Sequence, residues 1–178
     1  DKMVDLVADG VDCVLRLGAL KDSELVCRSF GEVPFVTCAS SAYLARHGRP
    51  ATLDELESHV LVNYAPRLPA LSSTLEFIDE GQLRRVEMGS SVTVDAAEAY
   101  VAAALAGLGL IQVPAYDVRD LLDAGEFVEV LPERRPPSVP LSFLFVRRRN
   151  LSPKVRVFFR WLKALLERHG VVAHRAFD

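Results

Sequence analysis

The chain has 178 residues, 50% of them hydrophobic and 25% charged, with a net charge of −3. Such a composition belongs to a soluble globular protein with enough chain for one large domain or two small lobes. It argues against nucleic-acid binding by this chain itself, which needs a clustered positive field, and no apolar run reaches the roughly 18–20 residues of a membrane span.

In chain order, residues 1–9 read as a helix with Met3, Leu6 and Val7 inward, stopped by Gly10. The helix opens without a cap and no signal peptide precedes it, so the chain is expected to begin part-way through a larger structure. Val11 to Leu17 reads as a strand ended by Gly18. Arg16 interrupts its apolar run near the C-terminal end, where open α/β sheets gather ligands; a surface arginine on a sheet edge is the alternative. A polar loop follows, then two strands, Leu25 to Phe30 and Pro34 to Ala39, separated by Gly31-Glu32-Val33. Ser40 and Ser41 cap a short helix ending at His47-Gly48, and Thr52-Leu53-Asp54-Glu55 is a capping box for a helix to Ser58. Val60 to Tyr64 is a strand, followed by a loop of prolines and serines to Ser73. Thr74 to Ile78 and Leu83 to Met88 pair as a hairpin about Asp79-Glu80-Gly81.

The stretch from Val94 to Pro114 organises the chain. Asp95 and Glu98 stand in capping-box spacing, with Val94 and Ala99 placed for a hydrophobic staple. No residue from Ala99 to Ala106 is charged, which predicts a helix buried on every side. Gly107 suits the left-handed turn that ends it, and Leu108 to Val113 is a short buried strand stopped by Pro114. The first turn of such a helix can bind an anion through its N–H groups; well-capped core packing is the alternative. Ala115 to Ala124 is a further helix, Phe127 to Leu131 a strand, and Arg134-Arg135-Pro136-Pro137 an extended crossing. Leu141 to Val146 is an apolar strand. Ser152 and Pro153 open a final helix with Val155, Phe158, Phe159, Leu162, Leu165 and Leu166 on one face, ended by Gly170.

This alternation of strands and helices predicts an α/β fold. Extended crossings at Val33 to Ala39 and Leu131 to Val139 divide it into lobe one, residues 1–38 and 133–170, and lobe two, residues 39–132, with 171–178 a tail. Two such lobes place a small-molecule cleft at their interface. Metal and cofactor motifs do not emerge: the four histidines have no ligand spacing, and no nucleophile elbow, phosphate loop or dinucleotide fingerprint is present. The expectation is no cofactor, no metal and no enzyme. Cys38 as a thiol nucleophile with His47 is a distant alternative. The three cysteines, Cys13, Cys27 and Cys38, are odd in number and lie in apolar strands. They predict buried free thiols and a reducing, cytoplasmic setting.

Met3 to Gly18, Cys38 to Leu44, Ala103 to Pro114 and Leu151 to Phe158 form four segments that, in this order, resemble the LysR-type transcriptional regulators. Met3 to Gly18 resembles their "D-L-V-x-x-G-x-D-x-x-x-R-x-G" stretch, and Cys38 to Leu44 their "C-A-S-P-x-Y-L", with Ser41 in place of proline. Ala103 to Pro114 resembles "A-A-x-A-G-x-G-I-x-x-L-P", and Leu151 to Phe158 the closing "L-S-P-K-V-R-x-F". The resemblance implies an effector-binding region of two Rossmann-like lobes shaped like a type 2 periplasmic binding protein, with lobe one lacking its first strands. It implies a small-molecule effector in the inter-lobe cleft, a homodimer or tetramer, and no membrane. Operator DNA would be bound only through an N-terminal winged helix-turn-helix outside this chain. By position, the resemblance points to Arg16, Leu17, Gly18, Ser40, Val94, Asp95, Ala96, Ala97 and Phe145 as ligand-binding residues. Aspartate at 95, where many relatives have asparagine, disfavours a nearby anion by roughly 1 kcal/mol or more at an effective dielectric near 20. A neutral or cationic effector, or an anion held by Arg16, is therefore expected. A free-standing solute-binding protein of the same two-lobed fold is the runner-up.

Overall fold

The computed structural model describes residues 10–18, 25–65, 73–145 and 152–170. The expected first helix, the loops at 19–24 and 66–72, the arginine run 147–149 and the tail lie outside the described residues. Two compact units emerge: an inserted unit, Phe35–Pro137, and a flanking unit built from the chain before Phe35 and after Pro137.

In the flanking unit, β1 (Cys13–Leu17), β2 (Val26–Val33) and β10 (Val139–Phe145) form an antiparallel sheet with β10 in the centre. β10 pairs on both edges, which explains its five consecutive buried residues from Leu141 to Phe145. β2 does not break at Gly31 as expected. A bulge absorbs Phe30, Gly31 takes φ +117°, and pairing continues to Val33. Helix α4 (Pro153–Arg168) packs Val155 and Leu162 inward. Phe159 stacks on Phe30 at 4.9 Å and meets Phe143 edge-on at 5.2 Å. The apolar stripe is thus real, but Phe158 is 42% exposed at its margin. Ser152 is the N-cap without a side-chain bond, so Pro153 and the amphipathic face carry this helix rather than the serine.

In the inserted unit, β3 (Phe35–Ser40) lies antiparallel between β8 (Ile111–Pro114) and β9 (Phe127–Glu129). Phe35 to Cys38 therefore belong to this sheet, and the return crossing falls after Pro137. β4 (Val60–Tyr64) pairs in parallel with β7 (Gly89–Val94). A parallel bridge between Leu61 and Leu110 joins the two groups, giving the order β7-β4-β8-β3-β9. Ser40 caps α1 (Ser41–His47) by accepting from the Tyr43 N–H, as the sequence predicts. Residues Asp54–Ser58 make a single 3-10 turn. Thr52 accepts from Glu55 N–H, and the Glu55 carboxylate reaches back to Ala51 N–H. β5 (Thr74–Asp79) and β6 (Gln82–Glu87) form the expected hairpin. Its two-residue turn has positive φ at both Glu80 and Gly81.

Helix α2 (Ala97–Leu105) starts later than Asp95 predicts. Pairing with β4 holds β7 extended to Val94, whose carbonyl accepts from Ala65 N–H, so Ala96 becomes an N-cap with no side-chain bond. The helix is also not buried on every side: Tyr100 and Ala104 are buried, while Ala99, Ala102 and Leu105 are exposed. Absence of charge marked a smooth packing surface on one side, not enclosure. A Schellman turn closes the helix, with Gly107 N–H bonded to Ala104 O and Leu108 N–H to Ala103 O. Leu108 is 44% exposed, and the buried strand begins after it. The predicted helix at 115–124 splits at buried Val118 into a 3-10 turn, Ala115–Asp117, and α3 (Arg119–Asp123). Arg134, expected to be extended, closes another 3-10 turn, Pro132–Arg134, held by its ion pair with Asp79 at 2.7 Å.

Candidate functional site

Three strands of the inserted unit, β4, β7 and β8, run in parallel and end at one sheet edge, at Tyr64, Val94 and Pro114. The first turn of α2 opens at this edge, because α2 follows β7 directly. Val94, Asp95, Ala96 and Ala97 are therefore gathered there, with Asp95 and Ala97 exposed. Glu98 and Asp117 add negative charge. Burial pushes the Tyr64 hydroxyl above its usual range, and Glu98 and Asp95 push it further. Burial, then Glu98, likewise raises the Asp117 carboxyl. Both helix-start carboxylates thus act on the same strand end.

Beside this edge β4 and β8 part beyond the Leu61–Leu110 bridge, leaving a cavity of about 170 Å³. Asn63, Tyr64, Thr74, Tyr100 and Gln112 supply its polar lining. Gln112 is bound on every side: its amide nitrogen donates to Thr37 Oγ1 and Glu76 O, and its oxygen accepts from Glu76 N–H. Its backbone N–H donates to the Tyr100 hydroxyl, which burial pushes up to about 12. The side chain copies a strand's hydrogen bonding and fastens the hairpin to the sheet. Sequence reading missed Tyr64, Tyr100 and Gln112; the strand-end position of Tyr64 was the available signal, whereas the bonds of Gln112 join residues far apart in the chain.

Ser40 does not join this group. It sits at the opposite sheet edge, buried, where β3 ends beside Gly107 and the last turn of α2. The nine residues of α2 separate the two places by about 13 Å at the usual helical rise. In the flanking unit, Arg16 pairs opposite Ser142, Leu17 opposite Leu141, and Gly18 N–H donates to Pro140 O. Phe145 pairs with Cys13 at the other end of β1 and is buried beside Phe143. Antiparallel pairing puts it away from Arg16, so its place is the aromatic core.

Cys38 is not prepared as a nucleophile. Cys38 is 0% exposed, and burial, then the Glu129 charge, pushes its thiol up to about 12. The expectation of three buried thiols fails at Cys27, which is exposed on the edge strand β2, and in part at Cys13. At neutral pH a maleimide is expected to label Cys27 rapidly and to leave Cys38 untouched until the chain is unfolded, read by peptide mass spectrometry. Labelling of Cys38 in the folded protein would contradict the burial. Among the described residues, no group of three or more His, Cys, Asp or Glu side chains could hold a metal ion. None of the described helices is long and apolar enough to cross a membrane.

The class this defines is a mixed α/β domain in which parallel strand ends meet a helix start at one sheet edge. Its fold matches the regulatory domain of CrgA, a LysR-type regulator of Neisseria meningitidis, with a TM-score of 0.77 at 24% identity over 90% of this chain and 78% of that one. The LysR substrate binding domain family matches residues 1–167. The chain belongs to the LysR family of transcriptional regulators, as their effector-binding regulatory domain, and is not an enzyme. It is 39% identical to the HTH-type transcriptional regulator YhjC of Escherichia coli K12, over 95% of this chain and 56% of that protein. It is 33% identical to the transcriptional activator AaeR of the same strain, over 93% and 56%. The chain thus spans just over half the length of these curated relatives.

Proposed function

We propose that the chain is the effector-sensing and self-associating part of a LysR-type regulator, and that its effector is a small neutral or cationic molecule. The observation that carries this reading is the shared edge at Tyr64, Val94 and Pro114, where parallel strand ends meet the first turn of α2. Ligands of open α/β sheets gather outside such strand ends. Asp95 and Glu98 give that edge a charge that favours a cation over an anion. The family resemblance also points to Arg16, Leu17 and Gly18 as effector-contacting residues, and Arg16 is the group that would hold an anion instead. Operator DNA would be bound by a helix-turn-helix half outside this chain, in a cytoplasmic dimer or tetramer.

Calorimetric titration of a panel of small amines, neutral amides and carboxylates tests the reading. A hit among the amines or amides that weakens at least severalfold in Asp95→Asn is expected. Preference for carboxylates, unchanged in Asp95→Asn and lost in Arg16→Gln, would transfer recognition to Arg16. Binding indifferent to both substitutions would remove the proposed site.

A further inference from the structure

Away from the strand-end edge, α1 is seated on β4 by a buried relay. Tyr43 is 1% exposed and His59 4%. The Tyr43 hydroxyl accepts from Val60 N–H at 3.1 Å and lies 3.2 Å from His59 Nδ1. With the oxygen already accepting, the hydroxyl proton is available to His59 Nδ1, so neutral His59 completes the relay as an acceptor. Its alternative acceptor, Val60 O, is distant at 3.5 Å. A proton on Nδ1 turns two donors toward each other, forces the hydroxyl onto the poorer partner and leaves a charge in a buried site.

We propose that the Tyr43–His59 contact is an acid-released latch that seats α1 on β4 at neutral pH and loosens it in mild acid. The groups around His59 agree with that direction. His47 stacks on the Tyr43 ring at 4.5 Å and adds positive charge from α1. Glu55, from the 3-10 turn, opposes it, and β4 contributes the Val60 backbone. Burial is the largest influence and lowers the His59 pKa below its ordinary 6.5. In the unfolded chain His59 protonates near 6.5, in the folded chain only at lower pH. The unfolded state therefore binds more protons in that window, and stability falls as the pH drops below 6.5. Release would reach further than α1. Arg46 of α1 donates to Gly107 O at 3.1 Å, so the same helix steadies the C-terminal turn of α2.

The test is amide hydrogen exchange on the 178-residue chain at about pH 7.5 and about pH 5, corrected for intrinsic rates. Protection of residues 41–47 and 103–109 is expected to fall several-fold in acid, while β3 keeps its protection. In His59→Gln, a neutral side chain that cannot gain the proton, that pH dependence is expected to disappear. Equal protection at both pH values in the natural chain, or the same acid loss in His59→Gln, overturns the latch. Should His59→Gln not fold, an NMR titration of the His59 ring in the natural chain decides. A midpoint below 6.5 that coincides with shifts of the α1 amides supports the latch; a midpoint at or above 6.5 overturns it.

Discussion

Gly109→Ala is expected to destabilise the inserted unit by about 3 kcal/mol or more, since both backbone strain and overpacking apply. Gly109 has φ +153°, and a Cβ there would stand 2.6 Å from Val60 O and 2.9 Å from the Leu61 carbonyl carbon. Both obstacles are backbone, so no side chain can swing aside. Val60 O accepts from Leu110 N–H, and Leu110 O accepts from Val62 N–H. The clash therefore falls on the bridge that joins β4 and β7 to the other three strands. Amide exchange at Val62 and Leu110 is the measurement. Gly48→Ala is the control: its φ is +83°, but nothing lies within 4 Å of the added Cβ. It should cost only the conformational part, about 1–3 kcal/mol. Similar losses in both variants would show that close approach at Gly109 has no energetic weight.

Phe143→Ala is expected to cost the flanking unit about 3–5 kcal/mol, the usual range for removing a buried phenylalanine. Phe143 is 0% exposed on the central strand β10. Its ring meets Phe30 edge-on at 5.8 Å and Phe159 at 5.2 Å, and also neighbours Phe145 and Phe158. Alanine leaves a void bounded by both a strand and α4, which cannot collapse into it together. Trp161 is the single tryptophan, and it stacks on Phe158 at 5.6 Å. Its fluorescence during urea unfolding reports on this unit. Phe143→Leu fills most of the volume and should lose about 1 kcal/mol from the missing ring contacts. An alanine variant no less stable than the leucine variant would mean that the aromatic cluster is not the core of this unit.

What the sequence determined by itself was local or ordered along the chain. The turn at Glu80-Gly81, the Ser40 cap, the Gly107 turn and the inward stripe of α4 each depend on residues within a few positions of one another. The order of four family motifs pointed to a LysR regulatory domain, and the family match agrees. Tertiary pairing decided the rest. Asp95 has the chemistry of an N-cap, but the hold of β4 on β7 keeps the chain extended up to Val94, directly before it, and the helix starts from Ala96 instead. Gln112 reads as a polar interruption of a short strand, yet it binds Thr37 and Glu76 at once. Ser40 and Val94–Ala97 occupy corresponding helix starts, but β3 runs opposite to β8, so those starts lie at opposite sheet edges. Strand direction is set by hydrogen bonds between distant residues, and local propensity carries no information about it.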